Sequence, residues 1–343
     1  MAKNPDEMLK QLEKEIKKEY QQAAKEVEQK MNKHLDDFVR KDVAKRQSLA
    51  KGLITQKQYN DWRIGQVMMG KRWETMVKDL TTTMNNADKI AAEMMYGHEK
   101  DCYAYGRNFG AYEIDIAIGA HLRDFTLYDR ATVERLLVKN PKMLPNPTER
   151  VMKNVAAGRA KLWVRRDVQS VMLQSILQGE SIPKVAKRMR SSLGESYFRE
   201  EIKNRNKKTA RQVSRELERK NRNAAIRNAR TMTTAAQNGG RLDSYIQAQS
   251  MGIVMEKQWI ATNDSRVRAS HAAQDGEVVP VKEEFSNGLM FPADPDGDPR
   301  EVYNCRCTMV AEVNVEETAK SNPDTVSIAG LASMDFEEWE NAI

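Results

Sequence analysis

Cys305 and Cys307, separated by one residue, and His271 upstream of them are the side chains whose types and spacing offer the clearest chemistry. In an extended segment Cys305 and Cys307 point to one side and Arg306 to the other, so two thiols and an imidazole can converge. Three chemistries are open to such a set. It can pack as a buried thiol–imidazole cluster, or bind zinc with Asp264 or Asp275 as a fourth ligand, or use a cysteine as nucleophile with His271 as base. Zinc ribbons and fingers usually place about two to four residues between paired cysteines, and nothing in the sequence completes a triad or an oxyanion hole. The expectation is therefore a structural cluster with no catalytic residue and no required cofactor. Cys305, Cys307 and His271 are the candidate metal ligands, and zinc is the candidate metal.

Residues around this set have readable local roles. Asp264 falls where a strand gives way to a helix, so its carboxylate is expected to cap free N–H groups. Arg268 and His271 share a helix face, which predicts an Arg268–Asp264 pair one turn back and a histidine facing the strands. Asp294, Asp296 and Asp298 alternate around Gly297 like part of a calcium loop. The glycine comes too early and no glutamate follows at the right distance, so a solvated turn is expected.

The elements that must position these residues divide the chain. Ile253–Ile260 and Cys307–Val313 read as strands, rich in β-branched and apolar residues, on either side of a loop rich in Gly, Pro and Asp. Upstream the pattern is helical. Met8, Leu12, Ile16, Tyr20, Ala24, Val27, Met31, Leu35 and Phe38 form one stripe of a long helix, which packs on the next helix of the chain or docks on another copy or another protein. Thr55 is placed to cap a second helix through Tyr59, Trp62 and Val67. Met68, Met69, Met76, Met84, Met94 and Met95 read as adaptable core. Gly179 and Ser181-Ile-Pro183 mark a helix end and a new start. The predicted class is α+β, with long helices dominating and one small C-terminal α+β module. The predicted segments are a helical region 1–140, a Pro-rich boundary 141–147, a basic helical segment 148–226, the α+β module 227–315, and a frayed acidic tail 316–343.

Composition narrows the function further. Of 343 residues 40% are hydrophobic and 31% charged but only 6% aromatic, which suits long solvated helices with real cores. The net charge of +7 is a segment property, because Ser181–Arg230 holds 16 Lys or Arg against 5 Glu, a local +11, leaving −4 for the rest. Lys203, Arg205, Lys207, Lys208, Arg211 and Arg215, with Arg188, Arg190 and Arg219 nearby, are the DNA-binding candidates. Aromatics other than Tyr197 and Phe198 are lacking there, so contact with double-stranded DNA would be through the backbone and non-specific. Three cysteines do not make a disulfide framework. No signal-peptide layout and no apolar run long enough to span a bilayer is present, so no membrane anchor is expected.

Taken in order, Arg230-Thr231, Asn238, Gly252, Trp259, Asp264-Ser-Arg266-Val-Arg268-Ala-Ser-His271, Gly276, Pro292, Pro295 and Asn304-Cys305-Arg306-Cys307 resemble the phage Mu protein F-like family of minor head proteins, over about Arg227 to Val313. Met232 departs from the family pattern, where an acidic residue is expected. The segment Ile176–Arg188 is similar to such proteins in layout only. The resemblance implies a structural cluster of Arg230, Trp259, Asp264, Arg268, His271, Asn304, Cys305 and Cys307. It also implies a minor capsid or head morphogenesis protein of a tailed bacteriophage, not an enzyme, at low abundance in the virion head after assembly in the host cytoplasm. The implied partners are the portal protein and capsid components, with possible self-association through the first helix, and the implied task is to assist head assembly, DNA packaging or DNA exit. No toxin or transferase domain is expected after the module. Two other classes stay open: a zinc-dependent hydrolase or nuclease built on His271, Cys305 and Cys307, and a stand-alone non-specific DNA-binding protein.

Overall fold

A computed structural model describes residues 4–177 and 195–343. The signals at Gly179, Ser181 and Pro183, and the basic Arg188 and Arg190, lie outside the described residues. Helices dominate: α1 Pro5–Asp36, α2 Val39–Ala50, α3 Gln56–Met68, α4 Gly70–Ile118, α5 Arg130–Lys139, α6 Pro147–Ala156, α7 Arg159–Leu177 and α8 Glu195–Ser250. The short strand β1 (His121–Leu122) falls between α4 and α5. After α8 come β2 (Met255–Ile260), α9 (Ala269–Ala273), β3 (Val278–Pro280), α10 (Pro299–Val302), β4 (Thr308–Val313), α11 (Val315–Ser321), β5 (Thr325–Val326) and α12 (Phe336–Ala342). This is the mostly helical α+β class expected, and the two predicted strands are β2 and β4.

The chain forms two compact units, and neither is one continuous segment. The first combines Met1–Glu15, Glu93–Pro147 and Ala225–Ile343; the second combines Ile16–Ala92 and Thr148–Ala224. The expected boundary at 141–147 ends beside a unit boundary, whereas the expected region 1–140 contributes to both units.

In the second unit the α1 stripe finds its partner within the chain. Ile16, Tyr20, Val27, Met31 and Leu35 are buried. Tyr20 Oη donates to Asp88 at 2.6 Å and Lys30 Nζ to Thr83 at 2.5 Å, so α1 runs antiparallel to the first part of α4. There Trp73, Met76, Val77, Leu80, Met84 and Ala87 are buried at three- and four-residue spacing. Of the predicted methionine core, Met68, Met76, Met84 and Met95 are buried, but Met69 is exposed. Thr55 does cap α3, with Gln58 completing a capping box. A buried polar knot centres on Asp42, which accepts from Tyr59 Oη at 2.7 Å and pairs with Arg63 and, at 3.2 Å, with Arg205. Arg63 also donates to Asn206 at 2.9 Å.

In the first unit α4 and α8 run parallel at very close range because glycines remove the side chains between them. A Cβ built at Gly106 would overlap the Gln237 backbone, one at Gly110 would overlap the Ser244 hydroxyl, and one at Gly240 would overlap Tyr103 O. The sheet order is β3-β2-β4, antiparallel throughout, with Trp259 opposite Met309 and Lys257 opposite Val279. The acidic tail, expected to fray, is instead ordered. Asp335 and Glu338 form a capping box for α12, Trp339 is fully buried, and its Nε1 donates to Asp115 at 2.9 Å. Phe336 packs among Tyr105, Phe109 and Tyr112. Among the described residues no helix is long and apolar enough to cross a membrane.

The crossing predicts a contrast. Gly106→Ala should destabilise the protein by about 1–3 kcal/mol through overpacking against backbone, despite alanine's higher helix propensity. Gly97→Ala, whose Cβ would meet only the end of the Arg130 side chain, should be neutral or stabilising. Urea unfolding of both variants checks this, and equal effects would contradict the close crossing.

Candidate functional site

The site is built on one face of α8. Thr231, Asn238 and Arg241, seven and three residues apart, share that face. Thr231 Oγ1 accepts the Asn304 N–H at 3.0 Å. Asn238 Nδ2 donates to Pro292 O at 3.1 Å and to Cys307 O at 3.2 Å, while its Oδ1 accepts from Thr308 Oγ1 at 3.1 Å. Arg241 donates to Thr308 Oγ1 and Met309 O, each at 2.7 Å. Together these bonds fix the backbone from Asn304 to Met309. Asn304 itself turns the chain at φ 58°, a left-handed conformation that asparagine tolerates better than most residues.

Held in this way, the two cysteines face inward. Cys305 Sγ lies 3.6 Å and Cys307 Sγ 3.5 Å from Nδ1 of His271, and all three residues are at most 3% exposed. The Cys307 thiol is pushed down by the Cys305 thiol beside it and by His271, while Cys307 and burial push the Cys305 thiol up. On the other edge of the imidazole, Nε2 sits 2.9 Å from Glu301 Oε2, off line for a hydrogen bond. Trp259 meets the His271 ring edge-on at 5.2 Å and Phe285 at 5.1 Å, closing the cluster with apolar rings.

Several expected contacts fall differently. Asp264 does not cap a helix and does not pair with Arg268, because α9 begins only at Ala269 and residues before it form turns. Its carboxylate accepts from Arg306 at 2.7 Å and from the Arg266 N–H at 2.9 Å, and these bonds hold its carboxyl well below the usual range. Arg268 donates instead to Tyr303 O. Arg230 points away from the cluster and pairs with Glu13 of α1 at 2.5 Å. Asp275 accepts the Ala261 N–H at 2.8 Å. Neither Asp264 nor Asp275 therefore joins the thiols and imidazole as a donor. Asp294 is buried and accepts the N–H groups of Met290 and Asp296, each at 3.0 Å, while exposed Asp298 caps α10 at Arg300. The three aspartates thus build a turn, one of them more buried than expected.

In the basic segment Lys207, Lys208, Arg211 and Arg215 are exposed and Lys203 is half-buried. Arg205 leaves the DNA-binding set, because it turns inward to Asp42 and Tyr59. Arg211 lies 3.5 Å from Glu28.

Two residues of the site were not singled out in the sequence. Glu301 stands in the first turn of α10, three positions after its cap Asp298, and that capped Asp-Pro start was the available signal. Lys257 occupies an inward position of β2 between Met255 and Trp259. Its Nζ donates to Met290 O at 2.6 Å and lies 5.0 Å from the Phe285 ring centroid. Burial lowers its pKa to about 8, partly opposed by Asp294, Glu284 and Glu283.

The fold and site define a long-helix protein carrying a small antiparallel α+β module sealed by a Cys-x-Cys/His cluster. Residues 166–310 match the family described as phage Mu protein F like protein. The match begins at 166, ahead of the 227 expected, and so includes helical residues before the module. The chain is 28% identical over 123 residues to the minor head protein GP7 of Bacillus phage SPP1, covering 33% of this chain and 38% of that protein. It is 31% identical over 118 residues to the NAD(+)–arginine ADP-ribosyltransferase EFV of Enterococcus faecalis, covering 34% of this chain and 24% of that protein. An uncharacterized protein of Haemophilus influenzae is 34% identical over 97 residues, covering 27% of this chain and 20% of its own length. The chain thus spans well under half the length of each of these relatives. No solved structure matches it.

Lys257 gives a pH test. Its ordinary pKa is 10.5, so between about 8 and 10.5 the unfolded chain keeps a proton that the folded chain has released. Stability then rises with pH through this window. Wild type should gain melting temperature relative to Lys257→Met between pH 7.5 and 10; a constant difference would contradict a buried lysine.

Proposed function

We propose that this chain is a minor head protein of a tailed bacteriophage, acting at the portal vertex in head assembly, DNA packaging or DNA exit. The observation that carries the reading is the family match over residues 166–310, supported by the similarity to a minor head protein of another phage. The cluster favours a structural over an enzymatic role. With His271, Cys305 and Cys307 at most 3% exposed, no substrate reaches the thiols or the imidazole, which argues against a hydrolase or nuclease built on them. The α1 stripe is buried within the chain, so docking and self-association use other surfaces.

The exposed lysines and arginines of α8 supply a non-specific contact to the DNA backbone. Because such binding is driven by counterion release, its affinity falls steeply as salt rises. Replacing Lys203, Lys207, Lys208 and Arg211 with Gln should lower both affinity and salt slope equally on two unrelated duplexes. A preference for one duplex, or an affinity flat with salt, would remove the DNA role. For the whole reading, the chain should be co-expressed with the portal and capsid genes of its phage and quantified in purified heads. The expected result is incorporation at far lower abundance than the major capsid protein and co-purification with portal. Absence from heads overturns the proposal.

A further inference from the structure

We propose that Cys305, Cys307 and His271 form a zinc site, ligating through both Sγ atoms and the imidazole Nδ1, with Glu301 beside the other ring nitrogen. The distances carry the assignment. Zinc sits about 2.3 Å from a thiolate and about 2.0–2.1 Å from an imidazole nitrogen, in tetrahedral geometry. Those bond lengths at tetrahedral angles place a ligating S and N roughly 3.5–3.6 Å apart. The two sulfur-to-Nδ1 separations here are 3.6 and 3.5 Å, and all three donor atoms lie within 4.8 Å of one another. A hydrophobic contact or a thiol–imidazole hydrogen bond does not require both sulfurs to meet the same nitrogen at these distances.

The chemistry of the donors agrees. Two soft sulfurs and one imidazole select zinc over magnesium or calcium, which prefer oxygen. On binding, both thiols ligate as thiolates and their protons are released to solvent. His271 then ligates as the neutral ring protonated at Nε2. Glu301 Oε2, 2.9 Å from Nε2 but off line in this geometry, needs only a small turn of the ring to accept its proton and fix this tautomer, as partners of metal-bound histidines commonly do. Asp264 and Asp275 are committed to Arg306 and to the Ala261 N–H, so the chain's own donors are the two thiolates and the imidazole.

Burial makes the ion structural. The stretch from Ile260 to Thr308 contains only α9 with five residues, β3 with three and α10 with four, pieces too short to hold themselves. A bond network from His271 to Cys305 and Cys307 closes this stretch, and the binding free energy of a structural metal becomes folding free energy.

Full-length protein should be purified without a metal-binding tag and analysed for zinc, then stripped, reduced and titrated with cobalt(II). The expected result is about one zinc per chain, with thiolate-to-cobalt charge-transfer bands and the intense visible bands of tetrahedral cobalt. Cys305→Ser and Cys307→Ser should abolish them. Cys102→Ser, which alters a buried cysteine beside His98 rather than His271, should leave them unchanged. Glu301→Gln should bind zinc about 10–100-fold more weakly in competition with a chelator. Absence of zinc as purified together with absence of cobalt bands on reconstitution overturns the proposal, as does an octahedral cobalt spectrum. If the serine variants fail to fold, wild-type reconstitution and the Cys102→Ser and Glu301→Gln proteins still decide it. The result is independent of whether the protein enters phage heads.

Discussion

Asn238, buried on the inner face of α8, uses one amide group to hold both the Pro292 loop and the start of β4, bonding Pro292 O, Cys307 O and the Thr308 hydroxyl. A buried amide left without these partners would cost about 1–3 kcal/mol, so helix, loop and strand are each constrained by the same side chain. Thr231 and Arg241 extend the constraint one step to either side, at Asn304 and at Met309. The orientation of Cys305 and Cys307 toward His271 follows from it. On its α4 side, Gly240 thins α8 where α4 passes, and Gly106 and Gly110 thin α4 in return.

The same logic of one side chain serving several elements recurs in the second unit, with charge in place of an amide. Asp42 joins α2 to α3 through Tyr59 and Arg63, and to α8 through Arg205. Removing one partner from such a buried pair strands the remaining charge, which is far more costly than replacing the whole knot with apolar residues. In the first unit burial of the tail is equally specific, since Asp115 accepts from both His121 and the Trp339 indole.

Local signals in the sequence were sufficient for what depends on short spacing. The strand pair was readable from β-branched runs, the α3 cap from Thr55, and the convergence of Cys305, Cys307 and His271 from the alternation of an extended chain. What depends on long-range packing was not. The helix expected around Asp264 required a regular turn of backbone that the chain does not make before Ala269, so Arg268 found a carbonyl instead of a carboxylate. Arg205 read as one of the DNA-binding cations, although Ile202, Asn206, Thr209, Val213 and Leu217 mark the buried side of α8 beside it. In the tail, acidic composition masked Phe336 and Trp339, three apart on one helix face. Lys257 breaks the apolar rule for inward β2 positions, so nothing in the strand's pattern marked it as buried. The two units escaped a linear reading because α1, α4 and α8 each contribute to both.

The small module has little regular structure of its own, and the cluster held by α8 is what ties its loop to its last strand. The direct test is a double-mutant cycle in urea unfolding that pairs Asn238→Ala with His271→Ala. If Asn238 sets the backbone on which the Cys305–Cys307–His271 cluster depends, the two losses are coupled by about 1 kcal/mol or more. Losses that add to within about 0.5 kcal/mol, as they do for independent sites, would contradict the account.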